Sequence, residues 1–452
     1  MNNYNKKEAI QASDFPDGFI WGVSSAAAQT EGAFCEGGRA MSIWDDFARR
    51  GKIKGKQTPF EACQFYEKFE EDIALLKSLN IPNFRFSLAW SRILPQGTGT
   101  VNQAGIDFYH QVIDTCLSHG IEPWITLYHW DLPMALEELG GWTNRAILNW
   151  FEAYATICIA AFGSKVKHWM VLNEPLVFTG AGYFAGYHAP GKKGLKNFLP
   201  AAYHAALVQG HIGKLIKRLN PNLQVGSTFS CSYNMPYSNK VKDVAAAKKV
   251  NALLNRFFIE PSLGMGFPIK AIPVLAKIEA LKQPGDEALM QVDFDFIGLQ
   301  VYTRELIKHS FFTPYLNAKI VPAHKRKVFH TKMNWEVYPD AIAEVIKSFS
   351  AYEGVKKIMI TENGASFSDV VIQGEVDDFH RQNYLQKHIE KMHEALPFSP
   401  KLKGYFVWSA TDNFEWAEGY QQRFGLIYIN FKTQERIVKK SGYWYRDFLT
   451  GA

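Results

Sequence analysis

Trp169-Met170-Val171-Leu172-Asn173-Glu174-Pro175 and Ile358-Met359-Ile360-Thr361-Glu362-Asn363-Gly364 decide the fold of this chain. Each is a run of apolar residues that stops at a carboxylate, and each closes on Pro or Gly, residues that end strands. Runs that are apolar throughout read as strands buried on both faces, as in a parallel sheet covered by helices. A glutamate at the tip of such a strand is costly to keep unless it is paired or used. Taken singly, either glutamate competes with a bland reading as a surface residue or ion-pair partner. Two in one chain, each beside an asparagine, argue against that reading.

Outward from these two segments the same pattern recurs. Strand-like runs cover residues 19–25, 83–90, 122–129, 168–174, 223–230, 294–303, 356–362 and 402–410. Helix-like stretches lie between them at 60–80, 144–162, 200–219, 339–350 and 380–395. In the first, Phe65, Phe69, Ile73, Leu76 and Leu79 recur at helical spacing with charges between them. Eight strands alternating with helices predict an α/β chain closed into a single (β/α)8 TIM barrel, with long βα loops forming the active-site cleft. The barrel is expected over 14–450, after an N-terminal extension at 1–13. An open doubly wound sheet would usually bring a Gly-rich nucleotide loop, and there is no GxGxxG. Gly213-Lys214 fails as a phosphate loop because position 208 is Val and position 215 is Leu. No GxSxG elbow is present.

Composition narrows the function classes. The chain has 452 residues, 47% of them hydrophobic and 21% charged, so it is neither disordered nor short of core. Its net charge of +6 is a thin surplus, and the one tight basic cluster, Lys325-Arg326-Lys327, reads as a solvated loop and argues against nucleic acid. Five scattered cysteines without a CxxC suggest neither a disulfide framework nor a thiolate metal site. No metal site is apparent among the 13 histidines. Residues 1–15 lack the apolar core of a signal peptide, and no apolar run approaches the ~20 residues that cross a bilayer. A soluble cytoplasmic protein with no membrane partner is expected. Aromatics make up 14% of the chain, enough for core packing and for flat surfaces against sugar rings.

Barrel chemistry sits at the C-terminal ends of the strands, and the polar residues of the eight runs gather there. Arg85 lies in the second run, His129-Trp130-Asp131 closes the third, Asn173-Glu174 the fourth, Gln300-Val301-Tyr302 the sixth and Glu362-Asn363 the seventh, with Trp408 late in the eighth. Two carboxyl groups at one rim are what hydrolysis of a glycosidic bond requires, one as proton donor and one as nucleophile.

These residues carry a resemblance. The chain resembles the family-one glycoside hydrolases, the family of retaining β-glucosidases, over nearly its whole length. The resemblance runs through Phe15-Pro16-Asp17-Gly18-Phe19, Gln29-Thr30-Glu31-Gly32, Arg85-Phe86-Ser87, Tyr128-His129-Trp130-Asp131 and Asn173-Glu174-Pro175. It continues through Trp335-Glu336-Val337-Tyr338-Pro339, Thr361-Glu362-Asn363-Gly364, Asp412-Asn413-Phe414-Glu415-Trp416 and Arg423-Phe424-Gly425-Leu426, and ends at Tyr443-Trp444-Tyr445. It implies Glu174 as general acid/base and Glu362 as nucleophile, with Arg85 the cation that favours the charge of Glu362. It also implies a sugar held by Gln29, His129, Asn173, Glu415 and Trp416 over a floor of Trp408. Tyr302 would bond near Glu362, Trp130 and Phe424 would line the pocket, and Trp335 would wall the leaving-group side. Without the resemblance Trp130, Trp408 and Phe424 read as core aromatics and His129 as a structural histidine. Phe311, Phe312 and Tyr315 read equally as lining of the entrance or as loop packing.

Two positions depart from the family pattern. Val171 stands where the family has Thr, and is expected to face away from the pocket. Gln300-Val301-Tyr302 replaces Asn-Tyr-Tyr, so Gln300 carries its amide on a longer arm toward the sugar or Glu362. The implied activity is hydrolysis of terminal β-D-glucosyl residues, with galactosyl and fucosyl close behind, from short oligosaccharides or aryl and alkyl β-glycosides. The chemistry needs no cofactor, and the partner is a small carbohydrate. Glu415 and Glu418, after the eighth strand, set a 6-phospho-β-glycosidase second. A non-catalytic sugar-binding relative and a transglycosylase are the other readings.

Overall fold

The computed structural model describes residues 10–452. Eight parallel strands close a barrel: β1 (Ile20–Ser24), β2 (Asn83–Ser87), β3 (Glu122–Tyr128), β4 (His168–Asn173), β5 (Gln224–Pro236), β6 (Phe296–His309), β7 (Ile358–Asn363) and β8 (Leu402–Trp408). Each pairs with its neighbours in chain order, β1 pairs with β8, and the β5–β6 ladder completes the ring. All eight predicted runs are strands. β5 and β6 run on beyond the barrel as a paired ribbon, to Pro236 and His309. The residues there, such as Ser232, Asn234, Arg304 and Lys308, are polar and gave no strand signal.

The connecting helices are α1 (Phe65–Ser78), α2 (Gln103–Ser118), α3 (Ile147–Phe162), α4 (Leu195–Leu219), α5 (Val241–Asn251), α6 (Asp340–Ser350), α7 (Phe379–Ala395) and α8 (Lys440–Thr450). α1 shows why they form. Phe65, Phe69, Ile73 and Leu76 bury one stripe, while charged residues such as Glu67, Glu70, Glu71 and Lys77 keep the opposite face in water. α4 starts five residues before the predicted 200, because Pro200 is accommodated inside the helix.

Two packed regions set the depth of the site. Trp124, Met170, Phe296, Met359 and Phe406 fill the barrel lumen from five strands, and the helix-facing sides of the strands join the large outer core. With the lumen plugged below, polar side chains can converge only at its upper mouth. The predicted 1–13 extension falls mainly on residues 1–9, outside the described residues, while Ile10 and Ala12 pack against the core. Among the described residues no helix is long and apolar enough to cross a membrane.

Candidate active site

Above the lumen plug, six strands each send one polar side chain inward: Arg85, Thr126, Asn173, Thr228, Gln300 and Glu362. All are buried. Arg85 organises the layer. Its Nη1 donates to Glu362 Oε1 at 2.6 Å, its Nη2 to Asn173 Oδ1 at 2.5 Å and its Nε to Thr126 Oγ1 at 3.2 Å. Gln300 Nε2 donates to the same Glu362 oxygen at 2.7 Å and to Asn173 Oδ1 at 2.6 Å. The longer arm at position 300 therefore reaches the carboxylate itself. Tyr302 Oη donates to Glu362 Oε2 at 2.7 Å. Three donors on one buried carboxylate favour its charged form.

Glu174 has a different setting. The β4–β5 register shifts between Met170 and Asn173. Met170 points into the lumen, Val171 packs in the outer core, and Asn173 points inward again. Val171 thus faces away from the cavity, but for a reason the sequence reading missed: regular alternation would have put it on the side of Asn173. Glu174 follows in the left-handed region, φ 44° and ψ 64°, and Pro175 starts the next helix. Ser230 stands beside the Glu174 carboxyl, and among the described residues no Lys, Arg or His forms a salt bridge with it. Trp130 (φ 79°) and Trp416 (φ 47°) adopt the same unusual backbone sign beside it. Such strain in non-glycine residues concentrates where function demands a fixed aim.

The two glutamates line one cavity of about 360 Å³. His129, Trp130, Tyr302, Trp335, Trp408, Glu415, Trp416 and Phe424 line it as well. Gln29, Asn173 and Gln300, which the sequence reading grouped with them, are wholly buried behind that surface. Gln29 Nε2 bonds Asn413 Oδ1 at 3.0 Å and reaches Glu415 Oε2 at 3.4 Å. Asn173 Nδ2 meets His129 Nε2 at 2.9 Å, and Trp130 Nε1 donates to the Asn173 carbonyl at 2.8 Å. Val177, Tyr187, His188, Ser230, Met333 and Ala417, not singled out from sequence, complete the lining together with Glu418. Val177 and Met333 are indistinguishable there from core residues; His188 stands in the turn-rich Tyr187-His188-Ala189-Pro190-Gly191 and offered the best signal. Phe311 and Phe312 are 79% and 92% exposed and do not line the cavity, whereas Tyr315 borders a neighbouring hollow.

Electrostatics separate the two carboxyls. Burial, then the charge of Glu362, pushes Glu174 well above the usual carboxylate range, with Ser230 and Arg85 only partly opposing. Burial also pushes Glu362 up, but the Arg85 charge and the bonds from Tyr302 and Arg85 pull it back. Glu362 is therefore the first of the pair to ionise. Glu415 is pushed up to about 8 by burial and by Glu362. Burial holds His129 and His188 neutral, His188 lowered to about 4. Among the described residues no Lys or Arg lines the cavity.

The loop after β8, which carries Glu415, Trp416 and Phe424, is clamped from behind. Lys439 Nζ, fully buried, bonds Asp369 at 2.5 Å and Asp412 at 2.6 Å. Arg423 Nη1 bonds Asp412 at 2.5 Å, and Arg381 pairs with Asp369 at 2.8 Å and also with Asp378. Three cations thus balance three carboxylates. Gly364 fits the loop's first residues closely, since a Cβ there would lie 1.8 Å from the Trp408 carbonyl oxygen. Among the described residues no group of three or more His, Cys, Asp or Glu side chains is placed to hold a metal ion.

A (β/α)8 barrel whose mouth holds two buried carboxyls among aromatic rings is the architecture of a glycoside hydrolase. Residues 11–451 match the model described as Glycosyl hydrolase family 1, and the chain belongs to that family. It is 40% identical over 443 residues to beta-glucosidase A of Thermotoga maritima, covering 97% of this chain and 98% of that one. The solved beta-glucosidase from Thermotoga maritima in complex with glucoimidazole superposes with TM-score 0.92 at 39% identity, over 96% of this chain and 98% of that one. The 6-phospho-beta-glucosidase GmuD of Bacillus subtilis is 32% identical over 96% of this chain and 97% of its own length. The chain is a retaining glycosidase of the β-glucosidase type.

Proposed function

We propose that this glycosidase removes terminal non-reducing β-D-glucosyl residues, and secondarily galactosyl or fucosyl residues, from short oligosaccharides and aryl or alkyl β-glycosides. Glu362 is the nucleophile and Glu174 the acid/base. The observation that carries the assignment is the asymmetry of the two carboxyls in one cavity: Glu362 bears three donors including a cation, whereas Glu174 lies buried beside it without a cation of its own.

In the first step Glu362 Oε attacks the anomeric carbon, the glycosidic bond breaks, and Glu174 gives its proton to the departing oxygen. Esterification removes the charge of Glu362, which had raised Glu174. Glu174 then stays ionised, takes a proton from water, and the hydroxide formed displaces the ester, returning Glu362 as carboxylate. Trp408 and Trp416 offer flat faces to the sugar, and Glu415 and His129 offer polar atoms to its hydroxyls. Gln29, Asn173 and Gln300 hold those groups in place from behind. Arg85 positions and charges Glu362.

A free 6-hydroxyl is favoured over a 6-phosphate because, among the described residues, the cavity wall has no Lys or Arg and its histidines are neutral. The two-glutamate repulsion read from sequence is weaker than it looked. Glu418 is paired with Lys54 at 3.0 Å, and Glu415 titrates near neutral pH. Presence of both glutamates disfavours a non-catalytic relative, and product analysis at high substrate separates hydrolysis from glycosyl transfer. A reducing, cytoplasmic setting suits five unpaired cysteines, four of them buried.

Kinetics of two variants test the roles. Glu174→Gln should lose cleavage of poor leaving groups while still forming the glycosyl-enzyme from an activated aryl glucoside. Glu362→Ala should lose turnover whatever the leaving group. Equal losses of Glu174→Gln on both substrate types would remove Glu174 from the acid role.

A further inference from the structure

Outside the barrel β6 continues into a hairpin. It turns through residues 310–317 and pairs antiparallel with the short strand Ala318–Ile320. The Ser310 N–H closes the turn on the Asn317 carbonyl at 2.9 Å. Phe311 and Phe312 stand at the tip, 79% and 92% exposed, with Pro314 and Tyr315 exposed beside them. Large apolar side chains gathered in water at one point mark a surface that a partner covers. Behind the tip the charge is one-sided. Residues 237–251 and 303–336 hold eleven Lys and Arg against three carboxylates, a surplus larger than the +6 of the whole chain. Those carboxylates are occupied or held back: Glu336 by Arg304 and Arg326, Asp243 by the Ser238 hydroxyl and the His309 N–H, while burial pushes Glu305 up to about 7. α5 packs on the hairpin through Ala246, Ala247 and Val250 against Ile307 and Ala318, which leaves Lys242 and Lys248 facing water. By alternation Lys308 and Lys319 take the other face. They are direct cross-strand partners, a register in which like charges repel. Lys325-Arg326-Lys327 therefore does not stand alone in the fold.

We propose that this hairpin docks the enzyme on an anionic phospholipid surface, with Phe311 and Phe312 entering the acyl boundary and the surrounding lysines meeting headgroup phosphates. The combination of groups selects the partner. A second copy of the chain would bring the same lysines face to face. A soluble polyanion would neutralise the lysines and leave the two rings in water. A lipid interface accepts both, since aromatic rings sit at the acyl boundary while lysine stems lie along apolar surface with their ammonium groups among the headgroups. The spacing fits. Lys308 precedes Phe311 by three residues, ~10 Å of extended chain, within the ~5–10 Å depth of interfacial insertion. The expectation of no membrane partner rested on the lack of a spanning segment, which attachment to a surface does not need. β6 leaves the barrel at the end that holds the catalytic cavity, so docking turns the cavity mouth toward the lipid.

Co-sedimentation of the full chain with vesicles tests the idea, using phosphatidylcholine alone and phosphatidylcholine with about a third phosphatidylglycerol. The parent should bind the anionic vesicles at least about tenfold more tightly than the neutral ones, and ~0.5 M salt should release most of it. Lys308→Gln combined with Lys319→Gln should weaken binding at least about tenfold (~1 kcal/mol per lysine). Phe311→Ser combined with Phe312→Ser should weaken it at least about tenfold at unchanged charge (~1.5 kcal/mol per buried ring). Both double variants should keep the parent's melting temperature and its rate on 4-nitrophenyl β-D-glucoside, since none of the four residues lines the catalytic cavity. Failure of the parent to bind anionic vesicles overturns the proposal, as does equal binding to both vesicle types. Binding that the phenylalanine variant retains also overturns it, and dextran sulfate bound equally well by parent and variant would then mark the patch as a polyanion site. Dimerisation of the parent that the phenylalanine variant abolishes, without vesicle binding, would assign the tip to a second copy instead.

Discussion

Replacing Gln300 by Met keeps length and volume but removes the amide that donates to Glu362 Oε1 at 2.7 Å and Asn173 Oδ1 at 2.6 Å. Asn173 Oδ1 keeps its bonds from Arg85 at 2.5 Å and Thr228 at 2.9 Å, so the loss falls mainly on Glu362. A hydrogen bond to a charged group contributes about 1.5–3 kcal/mol, which corresponds to about 1–2 pH units of carboxyl ionisation. The lost bond stabilised the ionised form, so the Glu362 pKa rises. Since the nucleophile must be ionised, the acidic limb of kcat/KM moves to higher pH by about 1–2 units. The assay is a kcat/KM profile on 4-nitrophenyl β-D-glucoside, with thermal unfolding as the check on folding. A folded variant whose acidic limb stays in place would refute the premise that the Gln300 amide supports the Glu362 charge.

Three further outcomes follow from the geometry. Gly364→Ala places a methyl 1.8 Å from the Trp408 carbonyl oxygen; displacement of Trp408 and its neighbour Glu362 should cost ~1–3 kcal/mol of stability and at least about tenfold in kcat/KM, read by calorimetry and initial rates. Lys439→Met leaves Asp369 and Asp412 short of a buried cation, at a cost of ~3–5 kcal/mol in denaturant unfolding. Burial pushes Asp369 up, but Lys439 and Arg381 outweigh it and hold its folded pKa low. Its contribution is present above the unfolded value of about 3.9 and fades as pH falls through the lower folded one; without Lys439 the folded value moves up toward the unfolded one, so the variant starts less stable and should lose less further stability than the parent below about pH 4. Glu415 stands near 8 in the empty cavity, and sugar hydroxyls donating to it favour its ionised form. Glucose binding at pH 7 should therefore release a proton, measurable by calorimetry in two buffers of different ionisation heat, and Glu415→Gln should remove that release.

The barrel was legible because its strands are apolar on both faces and stop at turn residues, as Ile358–Asn363 does. The β5–β6 ribbon was not, because outside the barrel polar residues such as Ser232, Asn234, Arg304 and Lys308 interrupt its apolar ones. The carboxyl pair could be read because each glutamate interrupts an apolar run. What sequence could not separate was depth: Gln29, Asn173 and Gln300 are the same kinds of residue as those lining the cavity, yet they lie one layer behind it. Ser230, in the cavity wall beside Glu174, is a single hydroxyl at a strand position with no pattern around it. The hollow that Tyr315 borders depends on segments far apart in the chain, and hydrophobic residues in loops look the same whether they fill a core or border a void.

The clamp behind the loop that carries Glu415 and Trp416 has a consequence for the media in which this enzyme works. At 1 M salt the screening length shrinks to about 3 Å, and ion pairs in contact with water, such as Lys165–Asp114 at 2.6 Å, lose much of their value. Lys439 and its two carboxylate partners are at most 1% exposed, so dissolved ions have no path between them. Strong brine can thus loosen the protein's outer surface while this wall of the cavity keeps its shape.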